Sequence, residues 1–180
     1  MTQKNEYVLV NPTTQAIVAP FDGAPRLPTV AGIRLGIIDD SKRNADVLLQ
    51  ELAEVLRTRY EIADVQWHRK PSASRAADPA AIKELAASCD AGVIAIGDRG
   101  ACSACSVHDG IHVENAGIPS ATICTDRFIP TARGMAKMWG SEDYPTIFTQ
   151  HPIENMTREQ LRQRAEELAP QVVGVLVGGQ

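Results

Sequence analysis

Residues Cys89–Phe128 read CDAGVIAIGDRGACSACSVHDGIHVENAGIPSATICTDRF, and the pattern of this stretch decides the fold. Ala91–Ile96 is an apolar run of strand length, and Gly97-Asp98-Arg99-Gly100 is a polar turn between two glycines. Helix-compatible residues open near Cys102 and Cys105, and a second apolar run, Ser120–Cys124, ends in Thr125-Asp126-Arg127. Strand, turn, helix and strand in that order form a βαβ unit with parallel strands. That geometry brings Cys102, Cys105, Asp98, Arg99, His108 and Asp126 toward the carboxyl ends of neighbouring strands.

The flanking sequence extends the alternation. Ile33–Ile38 is a buried strand, and the polar run Asp39–Asn44 precedes a helix over 45–59 whose Leu48, Leu49, Leu52, Val55 and Leu56 share one face. A strand over 62–67 leads into the cationic loop His68–Arg75. Pro79 then stands where a first-turn proline opens a helix reaching Ser88. Arg127–Trp139 predicts a fourth helix weakened by Gly134, and Tyr144–Thr149 a fifth strand closed by His151-Pro152. Thr157–Gln160 has the capping-box pattern of a last helix, which Pro170 should kink or restart. Five strands alternating with helices predict a single-domain, doubly wound α/β fold, with a mostly parallel five-stranded sheet covered on both faces. The Pro-rich residues 1–32 read as an extended arm laid over this subunit or a neighbour, followed by an α/β domain over 33–180.

Composition narrows the function classes. Eighteen basic against 22 acidic residues give a net charge of −4, which argues against a nucleic-acid partner held through phosphates. No apolar run reaches the ~18 residues of a membrane span, and the start lacks the apolar core of a secretory signal, so a soluble cytoplasmic protein is expected. The four cysteines cluster in the middle of the chain, which suits thiols in a reducing compartment better than a disulfide framework.

In a doubly wound sheet the site lies beyond the carboxyl ends of the strands. Cys102, at the opening turn of a helix, would feel free N–H groups and the positive end of the helix dipole, both favouring thiolate, with Arg99 adding to the effect. The C-x-x-C spacing of Cys102 and Cys105 permits a disulfide and also begins many zinc sites, but no second pair follows and no metal is expected. Packing at a tight turn is the competing reading of these two cysteines; Cys89 and Cys124 read as core. His108 is one turn from Cys105, and its neighbour Asp109 is expected to face elsewhere on the helix. His151, just past the fifth strand, is the better-placed acid or base. Ser41, Lys42 and Asn44 at a helix start can hold a carboxylate or phosphate, or can serve only as caps. Neither a P-loop nor a G-x-G-x-x-G fingerprint is present, so no cofactor is expected.

Several of these segments together resemble one family. Leu35-Gly-Ile-Ile-Asp39-Asp-Ser-Lys42-Arg-Asn44, Arg69-Lys-Pro-Ser, Gly97-Asp-Arg-Gly-Ala-Cys102-Ser-Ala-Cys105-Ser-Val-His108-Asp109 and Gly117-Ile-Pro119 look like the UGSC family of (seleno)proteins. More distantly they are similar to the selenoprotein B subunit of glycine, sarcosine and betaine reductases. The resemblance puts Arg99 where the relatives carry selenocysteine or cysteine, which implies that redox attack cannot start at that position. It implies a thiol-dependent enzyme or enzyme subunit acting on a small anionic or amine-bearing metabolite, of non-redox lyase, hydratase, decarboxylase or racemase type. Cys102 and Cys105 would be the thiols, with Asp98, His108, Asp126 and His151 handling protons. Arg99, Gly100, Ser41, Lys42, Asn44 and Arg127 would bind the substrate. Two alternatives stay open: a non-catalytic subunit of a homo- or hetero-oligomer, whose paralogous partner keeps the chemistry, and reductase-like C–X cleavage by the cysteine pair.

Overall fold

The computed structural model describes residues 21–178; the apolar run Tyr7–Val10 lies outside them. The elements alternate as β1 (Arg34–Asp39), α1 (Ala45–Tyr60), β2 (Asp64–Arg69), α2 (Pro79–Ser88), β3 (Ala91–Gly97), α3 (Gly100–Asn115), β4 (Ser120–Thr125), α4 (Ile129–Met138), β5 (Thr146–Thr149) and α5 (Arg158–Val177). All neighbouring strands are parallel, in the order β2-β1-β3-β4-β5. The order reverses between β1 and β3, so the crevice beyond Asp39 and Gly97 is the topological switch point.

Burial explains the strand readings. Every residue of β3 is buried, as a central parallel strand covered on both faces requires. The edge strand β2 is only partly covered, and its Trp67 stands 48% exposed. Helices α1 and α5 pack together on one face over Leu35, Ile37, Val93 and Ile123. The other three helices cover the opposite face, where Leu85 and Val113 meet Ile38 and Ile94. Near its carboxyl end β3 slips against β4 between Ala95 and Gly97, so Ile96 is an extra residue. Ala95 and Ile96 both join the α1/α5 core, and the bulge re-aims the turn that carries Asp98.

The local signals at the starts of α2 and α5 behave as read. Asp78 caps α2 by accepting from Ala80 N at 2.8 Å, ahead of Pro79 at the first helical position. Thr157 and Gln160 form the capping box of α5. Three expectations are corrected. The fourth helix begins at Ile129, because Asp126–Phe128 form a 3₁₀ turn ahead of Pro130. Strand β5 begins at Thr146, just after Pro145, which has no N–H to give a ladder. Pro170 does not restart α5, which runs on as one helix: it faces outward, the buried stripe Leu161, Ala165, Leu168 and Val172 continues past it, and Gln171 Nε2 donates to Glu167 O at 3.0 Å.

The described part of the arm packs on its own subunit. Leu27 N donates to Leu176 O at 2.9 Å, Val30 joins the core, and the buried Glu114 accepts from Ala24 N at 3.1 Å and from Arg26 Nη1 at 2.8 Å.

Gly97 marks the closest approach of α3 to the sheet: a Cβ there would lie 2.6 Å from Ser103 Cα and 2.6 Å from Cys124 Sγ. Since backbone cannot rotate away, Gly97→Ala should cost about 1–3 kcal/mol. Gly134→Ala, with open space around it in α4, should add about 0.5–1 kcal/mol. Paired urea denaturation curves check both signs.

Candidate functional site

Lys70, one residue past β2, is 1% exposed, and its ammonium sits 2.6 Å from Asp109 Oδ2 and 2.7 Å from Asp40 Oδ1. Three elements deliver these groups: the turn after β1, the turn after β2, and the middle of α3. Asp40 Oδ2 accepts from Ser106 Oγ at 2.5 Å, and Asp109 Oδ1 accepts from Ala77 N at 2.9 Å. Backbone bonds fix the frame, with Lys70 N donating to Asp39 O at 2.9 Å and Asp40 N to Ala95 O at 2.8 Å. Two carboxylates against one ammonium leave an excess negative charge. Burial, reinforced by the repulsion of Asp109, therefore holds Asp40 above the usual carboxylate range despite Lys70. For Lys70, burial alone would favour the neutral amine, but the attraction of the two carboxylates outweighs it and raises the ammonium's pKa.

A second carboxylate marks the other side of the switch point. Asp98, 2% exposed, follows β3, and its Oδ1 lies 2.9 Å from Nδ1 of the half-buried His151. The line between them misses hydrogen-bond alignment, so this is a close contact without a hydrogen bond, and Asp98 Oδ1 has no hydrogen-bond partner among the described residues. His151 Nδ1 is also 3.2 Å from Thr125 Oγ1, its backbone N donates to Asp126 Oδ1 at 3.1 Å, and Phe128 packs edge-on to the ring. These contacts come from the ends of β3 and β4 and the turn after β5, so the imidazole is fixed from three sides.

The thiols are less accessible than the sequence implies. All four cysteines are free, and Cys102 in the first turn of α3 is 2% exposed. Cys105, in the second turn, is half-buried, and burial pushes its thiol up. Arg99 is not turned toward them: its side chain is 64% exposed and pairs with Glu154 at 3.2 Å. Gly100 opens α3 with space around it, while Asp126 and Arg127 are exposed.

The proposed anion-binding turn after β1 is largely occupied by its own contacts. Ser41 Oγ donates to Lys70 O, and Ser41 N donates to Asp39 Oδ1 at 2.7 Å. Asn44 stands at the N-cap of α1 without capping it; its amide donates instead to Ile153 O at 3.1 Å and Met156 O at 2.9 Å. Lys42 is half-buried and makes no ion pair among the described residues.

His108 and Asp109 do meet, although neighbours on a helix point apart. The Asp109 side chain is buried toward Lys70, and its Oδ1 lies 3.1 Å from His108 Nδ1. Asp40, Lys70, Ser106 and Asp109 went unread as a unit. The one available signal was the presence of Asp40, Lys70 and Asp109 inside the three separate segments that resemble one family.

Comparison with known proteins agrees with that resemblance. The UGSC family matches residues 8–178. The chain belongs to the UGSC family. Two solved structures overlap this UGSC-family chain at a TM-score of 0.40 each. One is a flavodoxin-like domain from a Synechococcus sp. protein, 15% identical over 77% of this chain and 96% of that one. The other is a diflavin flavoprotein from Nostoc sp., 18% identical over 83% of this chain and 99% of that one. At that score the likeness carries no weight for activity. No curated protein matches the UGSC-family chain.

Removing Lys70 would leave two buried carboxylates facing each other, so Lys70→Met should destabilise by about 3–5 kcal/mol at neutral pH. Asp40→Asn, which removes the excess charge, should cost less. Lys70's contribution is complete below the ordinary lysine pKa and is lost as pH rises through its raised value. The wild-type urea midpoint should therefore fall at strongly alkaline pH, which denaturation curves from pH 9 to 12 test.

Proposed function

We propose that this chain is an enzyme or enzyme subunit acting on a small carboxylate- or amine-bearing metabolite by non-redox proton transfer at the strand-end crevice. The observation that carries the reading is the pairing of Asp98 and His151. A buried carboxylate oxygen without a hydrogen-bond partner among the described residues stands 2.9 Å from a half-buried imidazole at the carboxyl ends of the strands. Asp98 and Thr125 hold the Nδ1 side of the ring, so Nε2 is the nitrogen that takes a proton from a substrate carbon or nitrogen. A thiol whose pKa is raised by burial, as that of Cys105 is, suits a proton donor better than a resting nucleophile. In a lyase, hydratase or racemase step the imidazole removes the proton, and Cys105 is the candidate for returning one.

A second reading, a non-catalytic subunit, is favoured by the 2% exposure of Cys102 and by the engagement of Arg99 with Glu154. The two readings separate in one experiment. Small 2-amino and 2-hydroxy carboxylates are incubated with the protein in D₂O, and deuterium at the α-carbon is followed by NMR. The enzyme reading expects exchange on at least one compound and a loss of about 100-fold or more in His151→Asn and in Asp98→Asn, with unchanged far-UV circular dichroism. Exchange that persists at the wild-type rate in His151→Asn would sink the proton-transfer assignment. No exchange on any compound, with all four thiols alkylated equally slowly, supports the subunit reading.

A further inference from the structure

A second cleft opens on the outer side of the sheet's α2/α3/α4 layer. It encloses about 480 Å³ and is lined by Pro79, Ile82 and Lys83 of α2, His108 and His112 of α3, and Trp139 after α4. That volume lies within the range of small-molecule sites. None of the strand-end residues Asp98, Thr125 or His151 lines it.

Its walls are aromatic. The imidazoles of His108 and His112 are 4.2 Å apart between centroids, and Trp139 stands edge-on to both, at 5.2 Å and 4.8 Å. Such faces and edges accept a planar ring in stacked or T-shaped contact. The polar groups on the walls are uncommitted. His108 is anchored through Nδ1 to Asp109, which leaves Nε2 as the nitrogen without a partner among the described residues. His112 Nε2 is buried and has no hydrogen-bond partner among the described residues. Burial and the neighbouring His108 also lower the pKa of His112, which keeps that ring neutral and apolar in character. Lys83 forms no ion pair among the described residues, and no carboxylate lines the cleft. An unpaired cation beside an aromatic wall is complementary to an anion carried on a flat ring, and the free acceptor nitrogen of His108 to a hydroxyl on that ring.

We propose that this cleft binds a small aromatic carboxylic acid, with its ring packed against Trp139 and the two imidazoles and its carboxylate paired with Lys83. His108 Nε2, whose ring is fixed from behind by Asp109 and through it by Lys70, accepts a hydrogen bond from a ring hydroxyl. The site is independent of the strand-end chemistry and stands or falls without it.

The test uses 4-hydroxybenzoate as probe and the full chain carrying Trp67→Phe, which leaves Trp139 as the single tryptophan. Titration should give saturable quenching of Trp139 fluorescence. Lys83→Gln should weaken binding at least about fivefold, as loss of a charged hydrogen bond does. Cyclohexanecarboxylate, which has the anion without the flat ring, should bind more weakly, and His151→Asn should bind as tightly as its parent. Quenching that stays linear with concentration, or an unchanged affinity in Lys83→Gln, overturns the proposal. Binding lost in His151→Asn but kept in Lys83→Gln also overturns it, because the acid would then occupy the strand-end crevice.

Discussion

One buried ammonium, that of Lys70, ties together three separate elements around the candidate sites. It closes the gap between the end of β1, through Asp40, and the middle of α3, through Asp109, while its own backbone continues β2. Taking three charges out of water is expensive, and the cost is offset only because Ser106 and the Ala77 amide satisfy the remaining carboxylate oxygens. A cluster of this kind fixes register: α3 cannot slide or rotate over the sheet without stranding a charge.

That constraint reaches both candidate sites by different routes. Toward the outside, Asp109 presents its second oxygen to His108 and so orients a ring that lines the aromatic cleft. Toward the strand ends, the fixed helix places Ser103 tightly over Gly97, and the turn carrying Asp98 and Arg99 is held between the bulged end of β3 and the start of α3. The two regions share a scaffold without sharing a wall.

The sequence disclosed what is encoded locally. An unbroken apolar run gave β3, Pro79 behind Asp78 gave the start of α2, and the Thr157–Gln160 pair gave the start of α5, since each signal is complete within a few residues. Side-chain partnerships across the fold were hidden. Lys70 lies 39 residues from Asp109 and Asp40 lies 66 from Ser106, and nothing near Lys70 in the chain distinguishes it from the exposed cations of the same loop. The directions of the Cys102 and Arg99 side chains were hidden for a related reason. Position at a helix start says nothing about which way a side chain turns, and here the thiol packs inward while the guanidinium leaves for Glu154. Pro170 misled because a proline on the solvent side of a helix loses one hydrogen bond but no core contact.

The clasp at Glu114 bears on where the folding unit begins. Its carboxylate is fully shielded and draws its partners from Ala24 and Arg26, as well as from the Ser120 amide. A recombinant fragment cut at Ile33, the first residue of the apparent sheet domain, would strand an acid at the base of α3 and strip Val30 from the interior. The segment before β1 is thus a structural strap of the domain, and any minimal version of this protein has to keep it.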